Sequence, residues 1–371
     1  MNDGGGQIEQ AGEGGSQRDR RSLVMIPAFK SLEDIMATSP KRSSFLAVIG
    51  LGTIVAAGIL AHPAVLAAQE REGQAEALKA NHSKIWEDRG PIEQLDLFWG
   101  GGSRERLPAG PFTFVSEDLG GTNPKANVRD VHGVLWGVKW DEEAQSEVAA
   151  SRLAWAMGLH VDETYYVDKG TILFPGRQRP TFQRIGSFID KQGNLKSPAR
   201  FKRWVTDQKI KGEWSFEENP LMSEGGYSVL VLMNVIMANW DAKDSNNKLL
   251  SVPESEGSTD WYMVGDYGAC FGRMGGRTSH SKYRLMDFAA NPPVVRSVSG
   301  DTMYLEFKGR NAPAHASVPL EGARFFASRA AQLTHAQIED AFRAANANDR
   351  ELHGFADAVY GRIRDVVTRV Q

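Results

Sequence analysis

From Tyr227 to Trp240 the chain carries an apolar run, with Val229, Leu230, Met233, Ile236 and Met237 at helical spacing. The run is too short to span a bilayer. A helix apolar around most of its circumference has to be buried, so the fold is organised around it and the residues that follow it are delivered to a fixed place. Those residues are Asn239-Trp240-Asp241-Ala242-Lys243-Asp244-Ser245-Asn246-Asn247. Further on, Trp261-Tyr262-Met263-Val264 reads as a short strand that delivers Asp266-Tyr267-Gly268. A loop rich in Asp and Asn is, taken alone, most often a turn with self-capping side chains. This one gains weight from the buried helix before it and the strand-borne carboxylate after it.

The chain has 371 residues, 41% of them hydrophobic and 24% charged, enough to bury a substantial core in one large bilobal domain with appendages. A formal net charge of -3 gives no global cationic field, which argues against nucleic acid as a partner. Cys270 is the single cysteine, so intrachain disulfides and cysteine-rich zinc sites are excluded.

Residues 1–43 are rich in Gly, Gln, Ser and alternating charges and show no core-forming period, so they read as a disordered leader. Residues 44–68 follow Lys41-Arg42, run apolar or small, and end in small residues at Val65 and Ala67 before a charged stretch. That is the layout of a secretory signal, and uncleaved it would serve as a single membrane anchor. Basic residues on its N-terminal side put the C-terminal domain outside the cytoplasm either way, periplasmic, secreted or tethered to the inner membrane. Both Met1 and Met36 remain open as the start. Residues 69–89 read as a polar helical spacer.

The globular part is expected over 90–371, with a small lobe over about 90–190 and a large lobe over about 191–371. Three short strands, at 112–115, 126–129 and 134–140, joined by turns at Gly120-Gly121 and His132-Gly133, predict an antiparallel meander. Asp141 is the expected N-cap of a helix carrying Ala144, Val148, Leu153 and Met157, stopped by Gly158. Further strands are expected at 163–167, 171–174 and 185–189, a surface excursion at 191–219, and helices at 320–333, 336–345 and 351–370 with Thr334 as a cap.

Phosphoryl transfer needs a cation on the nucleotide phosphates, oxygen ligands for magnesium, and a carboxylate that orients the acceptor hydroxyl. Asp241-x-Lys243-x-x-Asn246 places a carboxylate, an ammonium and an amide oxygen in one loop, and Asp266 adds a second carboxylate at a strand end. A calcium loop fits less well, because Lys243 sits where an EF-hand needs an oxygen ligand. The D-x-K-x-x-N loop followed by D-Y-G resembles the catalytic loop and D-F-G element of the protein-kinase-like fold, in the style of its HipA-like and phosphoinositide-kinase-like branches. The wider pattern, with Leu95-Asp96-Leu97-Phe98 and Gly110-Pro111-Phe112-Thr113-Phe114, also resembles a group of bacterial proteins with export signals.

The resemblance implies an α+β, bilobal fold with a small antiparallel-sheet lobe and a mainly helical large lobe, and it covers roughly residue 90 to the C-terminus. It implies ATP and magnesium as cofactors, an unknown hydroxyl-bearing substrate, Asp241 as the catalytic carboxylate and Lys243 as its charge partner. Asn246 and Asp266 would be the metal ligands, with Asn247 an open alternative to Asn246. Lys139 would hold nucleotide phosphates, paired by Glu147 or by Glu143, and Gly120 and Gly121 stand where a full glycine-rich loop would be. Asn239-Trp240 replaces the usual His-Arg before the catalytic Asp. Three readings follow: an exported or anchored kinase, whose weakness is the scarcity of ATP outside the bacterial cytoplasm; a pseudokinase that binds nucleotide without transferring phosphate; and an exported structural or interaction protein. The basic, hydroxyl-rich segment 273–284 offers an anionic-substrate contact or a phosphorylation site, against a plain solvated loop.

Overall fold

The structure, a computed structural model, describes residues 83–176, 179–205, 208–254, 257–275 and 279–370. The leader, the segment 44–68 and most of the spacer lie outside the described residues. No helix among the described residues is long and apolar enough to cross a membrane.

Strand β1 (Ser83–Lys84) opens the described chain. The predicted meander follows as β2 (Phe112–Asp118), β3 (Lys125–Arg129) and β4 (Leu135–Lys139), paired antiparallel with Val128 opposite Phe114 and Trp136. Helix α1 (Glu143–Ala156) comes next, then β5 (Thr164–Val167), β6 (Ile172–Leu173) and β7 (Ala199–Arg203). These strands form one sheet in the order β5-β7-β4-β3-β2-β6, antiparallel except for the short β2–β6 pair. Its core joins Phe112, Val128, Trp136, Val138, Trp140, Tyr165 and Phe201.

The large lobe holds β8 (Lys209–Gly212), α2 (Gly225–Ile236), β9 (Asn247–Glu254), β10 (Gly257–Val264), α3 (Leu285–Ala289), β11 (Val295–Ser299), β12 (Thr302–Leu305), β13 (Ser317–Pro319), α4 (Leu320–Ala330), α5 (His335–Ala344) and α6 (Asp349–Arg369). The bilobal α+β architecture expected from the sequence is the one observed, with two small sheets, β1-β10-β9-β8 and β11-β12-β13, added to the helices. Every residue of α2 after Gly225 is buried, as its apolar run demands. The helix stops at Ile236, before the expected end, because Ala238 turns left-handed (φ 55°) and the Asn239 amide returns to the Asn234 carbonyl at 2.8 Å. Thr334 caps α5 in a capping box with Gln337.

Four expectations fail for identifiable reasons. Residues 185–187 form a 3-10 turn, not a strand, because the Glu117 carboxylate accepts hydrogen bonds from the Gln183, Arg184 and Ile185 amides and closes the backbone there. The stretch 191–219 is not a surface excursion: β7 lies inside the sheet between β5 and β4, so the small-lobe sheet reaches Arg203. Asp141 adopts φ 83° and accepts from the next amide, Glu142, at 2.9 Å, which leaves α1 without a side-chain cap. Residues 83–84 are a strand paired with β10, not part of a helical spacer.

Helix α1 packs more tightly than a small-lobe helix needs to. All its residues except Gln145 and Trp155 are buried, and Val148, Ala149 and Leu153 join the large-lobe core. Its alanines permit close approach to the segment after Asp266, and Ser146 Oγ donates to the Tyr267 and Cys270 carbonyls at 3.1 and 3.0 Å.

Candidate active site

Strands β9 and β10 form a hairpin whose open end pairs Asn247 with Val264. That register sets the end of the 239–247 loop beside Gly265 and Asp266, and a Cβ at Gly265 would lie 3.0 Å from the Asn246 carbonyl oxygen. Two stretches far apart in sequence therefore meet through backbone pairing alone. The meander brings Lys139, at the end of β4, to the same place from the other lobe.

Lys139 is buried among three carboxylates. Its Nζ lies 3.1 Å from Glu143 Oε2, 2.9 Å from Glu147 Oε2 and 2.8 Å from Asp266 Oδ1. Both glutamates weighed in the sequence thus contact it, and Glu147 also pairs with Arg200 Nε at 3.1 Å. Arg200, inside β7, is a site residue that sequence reasoning missed. Its signal, an Arg among Lys and Arg, reads as surface until its buried partner is known. Lys282 Nζ reaches the other oxygen of Glu143 at 2.6 Å. Gly268 has no room for a side chain, since a Cβ would lie 2.6 Å from Glu143 Oε2.

Burial alone lowers the Lys139 pKa, but the charges of Glu147, Asp266 and Glu143 outweigh it against the opposition of Arg200, and the ammonium titrates above the ordinary lysine value. Asp266 shows the converse. Burial pushes its carboxyl up, while Lys139, with help from Arg200 and Lys243, holds it well below the usual carboxylate range. Asp266 also adopts a left-handed backbone (φ 56°, ψ 61°), uncommon for a residue with a side chain.

Asp241, Lys243 and Asn246 form a second group. Lys243 Nζ lies 2.9 Å from Asp241 Oδ2, Arg310 Nε lies 2.7 Å from Asp241 Oδ1, and Asn246 Nδ2 donates to the Asp241 carbonyl at 3.3 Å. Asn247 is fully buried and donates to the Trp214 carbonyl, so of the two asparagines Asn246 borders the cleft. Asp244 is structural here, accepting from the Phe216 amide and from Asn311 Nδ2. Arg310 was invisible in the sequence, because it lies on a connection with no periodicity.

Two adjoining cavities occupy the cleft between the lobes. The smaller, about 180 Å³, is walled by Asp118, Lys125, Lys139, Glu147, Arg200 and Asp266. The larger, about 640 Å³, runs past Asn246 and Asp266 to Leu250, Met263, Trp261 and His160. Trp204 and Lys202 border both, with Lys202 Nζ 4.9 Å from the Trp204 ring. Gly120 and Gly121 sit in the turn above the smaller cavity and do not wall it. The Gly120 amide donates to Asp118 Oδ1, and the Gly121 carbonyl accepts from Arg184 Nη1. His160 stacks on Trp261 at 4.1 Å, and burial lowers its pKa to about 3, so the ring is neutral. Cys270 is fully buried and its thiol is pushed well above its ordinary pKa, which removes it as a nucleophile.

No group of three or more His, Cys, Asp or Glu side chains among the described residues is placed to hold a metal ion. Asp266 and Asn246 supply two oxygens at one cleft, a sparse donor set that suits an ion bringing further ligands from phosphates and water.

No family model matches the chain, and no curated protein sequence matches it. Among solved structures, the chain is similar to the Helicobacter pylori proinflammatory kinase CtkA, at 13% identity over 70% of this chain and 96% of that one, with a TM-score of 0.41. It is also similar to the Golgi casein kinase, at 10% identity, covering 88% and 93%, with a TM-score of 0.41, and to the Golgi casein kinase with Mn/ADP bound, at 9% identity, covering 88% and 93%, with a TM-score of 0.37.

Proposed function

We propose that the chain is an ATP- and magnesium-dependent phosphotransferase acting on a hydroxyl acceptor. The observation that carries this reading is the contact of Lys139 with both Glu147 and Asp266 at a cleft whose other wall carries Ser245 and Asn246, from the end of the loop that holds Asp241. Lys139, fixed by Glu147, would hold the nucleotide phosphates, with Lys125 and Arg200 in the same cavity wall. Asp266 and Asn246 would hold magnesium, which when bound offsets charge on the β- and γ-phosphates. Asp241 would orient the acceptor hydroxyl and take its proton as the oxygen attacks the γ-phosphorus and the bond to the β-phosphate oxygen breaks.

One observation favours a second reading, a nucleotide-binding protein without transfer activity. Lys139 holds Asp266, and cations cover both oxygens of Asp241. Calorimetry of the full chain with ATP and magnesium tests what the two readings share: absence of magnesium-dependent binding overturns both. Incorporation of labelled γ-phosphate into protein or added acceptors then separates them. Export through residues 44–68 belongs to the same proposal and is checked by N-terminal sequencing of the mature protein. An intact Met1 in a cytoplasmic fraction overturns it.

A further inference from the structure

A carboxylate that orients a hydroxyl must accept a hydrogen bond from it, and each oxygen of Asp241 already faces a cation, so a hydroxyl there has to share that oxygen. Lys243 covers Oδ2 and Arg310 covers Oδ1, at 2.9 and 2.7 Å. The two cations are held differently. Lys243 belongs to the same loop, two residues on. Arg310 reaches in from the connection between β12 and β13, and its side chain is 61% exposed.

The backbone beneath Arg310 is clamped. Its amide donates to the Trp240 carbonyl at 2.8 Å, and Asn311 Nδ2 donates to the Ala242 carbonyl at 3.2 Å and to Asp244 Oδ1 at 2.8 Å. Gly309 sits so close that a Cβ would lie 2.6 Å from the Trp240 carbonyl oxygen. Asn311 takes φ 51°, and its carbonyl accepts from His315 Nδ1 at 2.9 Å. A solvent-facing guanidinium on a fixed base can swing without disturbing the loop. Beside it Lys282 Nζ stands 5.8 Å from the Trp240 ring while paired with Glu143, and Lys308, on the same connection as Arg310, pairs with Glu306 at 3.6 Å.

We propose that Arg310 is a specificity-determining residue, which binds an anionic substituent, carboxylate or phosphate, on the acceptor and in doing so leaves Asp241 Oδ1 for the acceptor hydroxyl. The acceptor class is then a hydroxyl compound that carries an anion within reach of the Arg310 guanidinium. A neutral alcohol has to share Asp241 Oδ1 with Arg310 and gives the guanidinium nothing in exchange. An anionic one gives the guanidinium a new charged partner. The proposal rests on Asp241 acting as the acceptor-orienting group.

The test is calorimetry on the full chain, with and without a non-hydrolysable ATP analogue and magnesium, using glycerol, glycerate and glycerol 3-phosphate as probes. Glycerate, glycerol 3-phosphate or both should bind at least about tenfold more tightly than glycerol, and the pair identifies which anion is preferred. Arg310→Gln should abolish that preference and Arg310→Lys should restore part of it, while nucleotide binding and thermal unfolding stay unchanged. Asp241→Asn, which removes the competitor for the guanidinium, should tighten anionic binding. Equal binding of the three probes, no binding of any, or a preference that survives Arg310→Gln overturns the proposal. Loss of nucleotide binding in the unaltered chain would instead overturn the phosphotransferase reading, since the acceptor arm is also read without nucleotide.

Discussion

Lys139 and Asp241 each stand between opposite charges, yet their surroundings differ. Around Lys139 the glutamates are sunk in protein, Glu143 with a side chain 10% exposed and Glu147 with 2%, while Asp266, at 42%, opens to the cleft. Around Asp241 the cations are in contact with water, Lys243 at 37% and Arg310 at 61%. Removing one member of a buried group leaves its partners charged and desolvated, whereas removing one member of an exposed pair lets water take its place. The Lys139 cluster should therefore bind fold and function together, and the Asp241 cluster should separate them.

The strongest test of that contrast is Lys139→Met. It removes the cation that three carboxylates share, leaving Glu143 to Lys282 and Glu147 to Arg200, and should lower stability by roughly 3 kcal/mol while abolishing magnesium–ATP binding, measured by chemical denaturation and calorimetry. Retained stability would mean that water reaches the cluster. Asp241→Ala should reduce phosphotransfer by roughly 10²–10⁴-fold and move the unfolding midpoint little. A large loss of stability would place Asp241 with Lys139 and erase the distinction.

A third test uses pH. Burial lowers the His315 pKa to about 4 from an ordinary 6.5, and the neutral ring donates through Nδ1 to Asn311 and accepts at Nε2 from Asn234. As pH falls below 6.5 the unfolded chain takes up a proton that the folded one refuses until about 4. Stability should then decline across that window, by about 3 kcal/mol from this group. In His315→Gln that part of the slope should vanish, and an unchanged pH profile would sink the assignment. Because His315 underlies the 309–311 clamp, acid should loosen the Asp241 side of the cleft before the Lys139 side. The smallest effect belongs to Lys243→Gln, whose half-exposed pair should cost under about 1 kcal/mol of stability, read from the denaturation midpoint.

Local chemistry made much of the fold legible. The meander, α1, α2 and the Thr334 cap announce themselves through alternation, helical period and capping residues. Lys139 and Asp266 were legible as members of an ordered set, although their direct contact was not. Long-range partners hid the rest. Strand β7 carries Arg200, Lys202 and Arg203, which look like surface until Glu147 is seen to bury Arg200. The turn at 185–187 answers to Glu117, on another strand. Arg310 lies outside every periodic segment, and only the Trp240, Ala242 and Asp244 contacts of its neighbourhood reveal why it stands beside Asp241.

The β9–β10 pairing acts as a ruler. Its arms match residue for residue from Asn247–Val264 to Glu254–Gly257, so the spacing of Asp241 from Asp266 depends on equal arm lengths and not on the connection beyond Glu254. Extra residues in that connection should leave the cleft unaltered. Deleting a single residue from one arm would slide the register and exchange the faces of β10, sending Trp261 and Met263 from the cleft wall toward the core in place of Tyr262 and Val264. The chain can thus vary freely at one end of the hairpin while its other end holds two carboxylates in step.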